Sequence, residues 1–136
     1  MRWYFKWLLI ISSISLGFNF VWAESHHPQE FLESIKGKKD EGSQIVQHFC
    51  ISCHAAKPMI PLGAPRIAEE ADWLPRVKMG IQSLLAHTEE GFNAMPPRGG
   101  CFECTDEQLV LAILAMLPEN LKKAPLIDLK DHKKNK

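Results

Sequence analysis

Ser43-Gln44-Ile45-Val46-Gln47-His48-Phe49-Cys50-Ile51-Ser52-Cys53-His54 is the stretch on which the fold turns. Val46, Phe49, Cys50 and Cys53 fall at i, i+3, i+4 and i+7, which predicts a helix carrying both cysteines and two apolar side chains on one face. Ser43 is the expected N-cap. Cys-x-x-Cys followed directly by His is the pattern at which haem is covalently attached. The spacing has a chemical reason: two cysteines three positions apart can form thioethers to the two vinyl groups along one haem edge, and the next residue sets an imidazole under the iron. An ordinary amphipathic helix would explain the shared face but not His54. Zinc sites and thioredoxin-like centres also use CxxC, so the surrounding sequence has to decide.

Downstream, helical spacing recurs and no alternating strand pattern appears, which predicts an all-α domain. Pro58, Pro61, Gly63 and Pro65 make residues 55–71 a loop that must wrap something. Asp72 is read as the cap of a short helix that tolerates Pro75 in its first turn and places Trp73 and Val77 on one side. Gly80 breaks the pattern. A further helix is expected over 81–89, with Ile81, Leu84 and Leu85 inward and Gly91 as its end. Thr105-Asp106-Glu107-Gln108 has the form of a capping box ahead of the apolar run 109–117, stopped by Pro118. That run is a buried terminal helix, because its nine residues reach only ~13 Å and fall far short of a bilayer.

Upstream, residues 1–23 read as a secretory leader: Arg2 and Lys6, an apolar run from Trp7 to Phe20, and Val21-Trp22-Ala23 as the cleavage box. If uncleaved, the same stretch would tie the protein to the membrane, since its apolar run approaches the length of a spanning helix. Residues 24–42 are a polar N-terminal extension or a short helix ahead of the core, 43–118 the core domain, and 119–136 a basic, mostly disordered tail with 6 basic and 3 acidic groups. The whole chain balances 16 basic against 16 acidic groups, and no basic stripe suited to nucleic acid is present. One core is expected from this length, enlarged by the apolar faces of a haem.

A haem iron needs a second axial ligand, for which the chain offers Met59, Met79, Met95 and Met116 and the histidines at 26, 27, 48, 87 and 132. Met59 follows His54 too closely, Met116 sits in the terminal helix and Met79 at a helix end. Met95 stands in Asn93-Ala94-Met95-Pro96-Pro97-Arg98-Gly99-Gly100, a proline-stiffened loop between two helices, where a thioether has little freedom to lose. It is the preferred ligand.

These features together resemble class I cytochromes c: CISCH near the start of the domain, Gly63-Ala64-Pro65 after it, GFNAMPPRGGCFECTDEQL at 91–109 and a final apolar helix. The nearest pattern is the cytochrome c5 family, over roughly residues 42–118, with 91–104 the most specific part. The resemblance implies four to five helices around one covalently bound haem c, with thioethers at Cys50 and Cys53 and axial ligands His54 and Met95. It further implies that Pro65 accepts the His54 Nδ1 proton through its backbone carbonyl, that Cys101 and Cys104 form a disulfide, and that the protein works in the periplasm. Read alone, Cys101-Phe102-Glu103-Cys104 is followed by Thr105 and so lacks the histidine of a second haem site. A disulfide is the default use of two such cysteines in an exported chain, and a catalytic CxxC is the sharper alternative.

The expected function is one-electron transfer by a non-enzyme monohaem protein, between partners such as a cytochrome-containing reductase or a terminal oxidase. Two alternatives stand beside it. A five-coordinate haem would make a peroxidase or gas sensor. Four cysteines on zinc would make an interaction module, although the 47 residues between the pairs exceed the ~15–20 of a zinc ribbon.

Overall fold

The computed structural model describes residues 27–123. The expected leader and the greater part of the expected tail lie outside the described residues. Within them the protein is all-α. The only β pairing among the described residues is an isolated bridge between Phe92 and Met95.

Helix α1 (Pro28–Ile35) begins with a proline at a position where the missing N–H is not needed. Its Leu32 and Ile35, three positions apart, are both buried in the main core. Of the two readings of residues 24–42, an extension or a short helix, the structure has the short helix, and it packs into the core rather than standing ahead of it. The next helical run also differs from expectation. Helix α2 (Glu41–Ile45) starts behind Asp40, so Ser43 lies inside it and caps nothing. The run passes through one π-helical turn (Val46–Cys50) into α3 (Ile51–His54). A π turn inserts one residue into the helical repeat, which shifts the face that follows it. Such turns are frequent at functional sites.

Helix α4 (Glu70–Val77) begins three residues earlier than expected, with Glu69 as N-cap and Pro75 well inside the helix. Asp72 does not cap it. Its carboxylate instead takes the Arg66 side chain, with Nε at 2.8 Å, and the Arg66 backbone N–H at 3.0 Å. Those two hydrogen bonds, side chain first, hold the Asp72 carboxyl at about 2. Trp73 is buried, and its indole N–H donates to Arg66 O at 2.8 Å, which ties the proline-rich loop to α4. Helix α5 (Ile81–Glu90) runs between Gly80 and Gly91, both at positive φ. Helix α6 (Asp106–Met116) starts at a formed capping box: Thr105 Oγ1 accepts from Gln108 N at 3.2 Å, and Gln108 Oε1 accepts from Thr105 N at 3.0 Å.

Leu109, Ala112, Ile113 and Met116 of α6 face inward, whereas Leu111 in the same apolar run is exposed. The helix is thus buried along a stripe and not all round. It crosses α2 closely enough that a Cβ on Gly42 would stand 2.3 Å from Leu111 O. Gln108 Nε2 also donates to the buried Glu41 carboxylate at 3.0 Å, and Gly37 N donates to the other Glu41 oxygen at 2.7 Å. One carboxylate thereby fixes both the turn after α1 and the start of α6 against α2. The main core gathers Leu32, Ile35, Ile45, Val46, Trp73, Leu109 and Met116 with both cysteines of the 101–104 pair. Ile81, Leu84 and Ile113 form a second cluster, and Val77 and Leu85 pack against both. The 3-10 turn Glu119–Leu121 lies in the expected tail, but Leu121 packs on the core, so the body extends past Pro118. Among the described residues no helix is long and apolar enough to cross a membrane.

Candidate functional site

His54 closes α3 and is buried. Its Nδ1 lies 2.7 Å from Pro65 O, across the loop that follows the helix. A carbonyl can only accept, so Nδ1 carries the proton, and in a neutral imidazole that arrangement leaves the lone pair on Nε2. That is the form in which an imidazole binds a metal, and a carbonyl on the far nitrogen also raises its basicity. The loop is sewn back onto the motif helix at two further points, Ile60 N to Ser52 O at 3.0 Å and Ile67 N to His54 O at 2.8 Å. Pro58, Pro61 and Pro65 donate no backbone hydrogen bond, and their rings keep the loop from becoming a helix.

Cys50 and Cys53 are the cysteines not engaged in a disulfide, and both are partly buried. They lie about one helical turn apart, so their thiols leave the backbone on one face. Burial, and then the proximity of Cys53, push the Cys50 thiol up to about 11. At neutral pH it is a thiol, which is the opposite of the lowered pKa that marks a nucleophilic redox CxxC. Among the described residues no group of three or more His, Cys, Asp or Glu side chains comes together to hold a metal ion. The two cysteine pairs therefore do not assemble a four-thiolate site.

Met95 sits at the end of a tight turn. Phe92 and Met95 exchange two backbone hydrogen bonds, 3.1 and 3.0 Å, and Asn93 between them takes a left-handed φ of 54°. Gly91 allows this turn to close, because a Cβ there would stand 2.8 Å from Met95 O. The side chain of Met95 is half-buried, and its Cε lies 3.2 Å from where a Gly99 Cβ would be. The following 3-10 turn (Pro97–Gly100) packs on the π turn Val46–Cys50, which brings the methionine loop beside the cysteine-bearing helix.

The other candidate ligands have different surroundings. Met116 is in the core, Met59 and Met79 are exposed, His48 stacks on Phe31, and His87 stacks on Phe92. His26 and His132 lie outside the described residues. Cys101 and Cys104 are joined by a disulfide with Cα atoms 5.4 Å apart, both buried. Closing so short a loop is worth about 2 kcal/mol in chain entropy. Arg98 was not legible as a site residue: it takes a left-handed φ of 57° and its guanidinium folds back to Cys104 O at 2.5 Å and Asp106 Oδ1 at 3.0 Å. Its neighbours Pro97 and Gly99 mark a turn, but nothing local announces where the side chain goes.

A buried imidazole hydrogen-bonded through Nδ1 to Pro65 O, two cysteines outside any disulfide just ahead of it and a methionine loop packed on the same helix are the parts of a c-type haem protein. Known proteins agree. Residues 37–113 match the family model described as Cytochrome C oxidase, cbb3-type, subunit III. The chain is 38% identical over 79 residues to cytochrome c5 of Azotobacter vinelandii, which covers 57% of this chain and 92% of that protein. It is 38% identical over 85 residues to cytochrome c5 of Ectopseudomonas mendocina, covering 61% and 94%. It is 31% identical over 75 residues to cytochrome c-555 of Chlorobaculum tepidum, covering 52% and 67%. The chain belongs to this cytochrome c family, as a class I c-type cytochrome of the c5-like kind. It is a monohaem electron carrier with one covalently bound haem c.

Proposed function

We propose that Cys50 and Cys53 carry the two thioethers, that His54 Nε2 and the Met95 thioether fill the axial positions, and that Pro65 O sets the orientation of His54. The observation that carries this reading is the 2.7 Å contact between His54 Nδ1 and Pro65 O, immediately behind two unpaired cysteines. Haem c, when bound, supplies a one-electron iron couple. The chain's own residues then decide what that couple is used for. Were His54 and Met95 both to hold the iron, their side chains would leave oxygen or a substrate no place to bind, which suits a carrier rather than an enzyme. A thioether ligand raises the potential, and apolar surroundings favour the reduced, less charged state. The Cys101–Cys104 disulfide restrains the link between the Met95 loop and α6.

The site of action is the periplasm, reached by export behind the 1–23 leader. The partners are other redox proteins, a cytochrome-containing reductase on one side and a terminal oxidase on the other, met through brief docking at a small interface. Mass spectrometry and oxidised-minus-reduced spectra of cell fractions test the reading together. A chain bearing one haem mass, in the periplasmic fraction, with the charge-transfer band of methionine on ferric iron is the expected result. A haem-bearing chain without that band would overturn the assignment of Met95, and a chain without haem mass would overturn that of Cys50 and Cys53.

A further inference from the structure

We propose that Arg98 is a positioning residue for the Met95 thioether, acting through the turn that carries Gly99. The proposal rests on the assignment of Met95 as an axial ligand.

Four observations support it. Arg98 takes the left-handed region at φ 57°, ψ 17°, which is uncommon outside glycine and persists only where its surroundings hold it. The hold is visible in its side chain: one terminal nitrogen donates to both Cys104 O, at 2.5 Å, and Asp106 Oδ1, at 3.0 Å. The side chain is three-quarters buried, and its Nε is buried without a hydrogen-bond partner among the described residues, so the guanidinium stem lies within the loop and not along its surface. The next residue, Gly99, follows at φ 59°, and Met95 Cε lies 3.2 Å from where a Cβ on Gly99 would stand.

The connection runs in one direction. Cys104 O and Asp106 belong to the start of α6, where the capping box and the disulfide already immobilise the backbone. Arg98 fastens the methionine loop to that fixed point. Its left-handed backbone sets the path of Gly99, and Gly99 limits how far the end of Met95 can swing. A second tie keeps the turn in register, because Gly99 N donates to Pro96 O at 3.0 Å and Cys101 N to Arg98 O at 3.1 Å. With the side chain removed, nothing in this set compensates the left-handed backbone of a non-glycine residue, and the turn relaxes away from Met95.

The test uses the haem-loaded full chain and Arg98→Ala, with Arg98→Gln as the milder variant should alanine fail to fold. Imidazole titrated into the ferric protein reads how readily the sixth ligand gives way. Arg98→Ala should bind imidazole about tenfold more tightly than wild type, with a weakened methionine charge-transfer band and a lowered potential. Arg98→Gln should shift the same readouts in the same direction by a smaller factor. Imidazole affinity within about twofold of wild type in the folded variant, even with a lower urea midpoint, would show Arg98 to be a structural strut and overturn the proposal. Met95→Ala in the same titration separates the two readings: if it too binds imidazole as wild type does, the assignment of Met95 fails, and if only the Arg98 variants do, the fault lies with Arg98.

Discussion

Gly42 of α2 and Leu111 of α6 meet backbone to backbone, so that a methyl group added at Gly42 would stand 2.3 Å from the Leu111 carbonyl oxygen and 2.7 Å from its carbon. The obstacle is main chain in the middle of a helix and cannot rotate aside. Gly42→Ala must therefore push the two helices apart, and with them the Glu41–Gln108 hydrogen bond and the burial of Ile45 and Leu109. The expected loss is about 3 kcal/mol, the upper part of the range for overpacking a core. Urea unfolding of the haem-loaded protein checks it, and an unchanged midpoint would mean the crossing is looser than this geometry.

Thr105 makes a smaller and cleaner case. Its hydroxyl accepts from Gln108 N and the residue is exposed, so Thr105→Ala removes one cap and leaves a backbone N–H at the α6 terminus to water. About 1 kcal/mol should be lost. Gln108→Ala should cost more, because that side chain both returns a hydrogen bond to Thr105 N and reaches the buried Glu41 carboxylate. Equal midpoints for the two variants would contradict the double role.

The Arg66–Asp72 pair gives the protein an acid-sensitive joint between the proline-rich loop and α4. Hydrogen bonds from the Arg66 side chain and then from its backbone N–H hold the Asp72 carboxyl at about 2, against about 4 in an unfolded chain. A folded value below the unfolded one means the contribution is fully present above about pH 4 and disappears as the pH falls through 2. Asp72→Asn cannot titrate there. Wild type should accordingly lose stability relative to the variant over that interval, measured as urea midpoints at stepped pH. Parallel curves would remove the pair from the account of acid unfolding.

The residues show why some of this was readable and some was not. Thr105-x-x-Gln108 was read as a cap because a capping box is local: its partners are three positions apart, and the chemistry is complete within one turn. The end of α5 at Gly91 was legible for the same reason. Helix α1 was legible only as one of two options, an extension or a short helix, and its docking was not, since Leu32 and Ile35 are two apolar positions in a polar stretch and their burial depends on a core assembled from elsewhere. Ser43 and Asp72 are good caps by type, but Asp72 was taken by Arg66, and the preceding Asp40 and Glu69 mark the true helix starts. The π turn at 46–50 leaves no sequence mark that distinguishes it from ordinary helix. At the site, the CxxCH pattern supplied residues 50, 53 and 54, whereas Pro65, eleven positions away, was placed opposite His54 through family resemblance and not through spacing. Arg98 escaped both routes, because a side chain folding back over a left-handed turn is a tertiary event.

If Met95 is the iron ligand proposed above, its replacement separates loop geometry from redox chemistry. The backbone hydrogen bonds that close the turn, Phe92 N to Met95 O and Met95 N to Phe92 O, do not involve the side chain, so Met95→Ala should keep the turn and the body. Cys50, Cys53 and His54 are untouched, and the variant should still carry one haem mass. What it loses is the thioether. The potential should fall, since methionine ligation raises it, and an external ligand such as imidazole or cyanide should bind the ferric protein at least ~10-fold more tightly than in wild type. Absorption titration and redox potentiometry on the purified variant check both. Wild-type affinity and potential in a variant with intact haem would mean that another side chain holds the sixth position. Met59 and Met79, both exposed, would then be the next to replace.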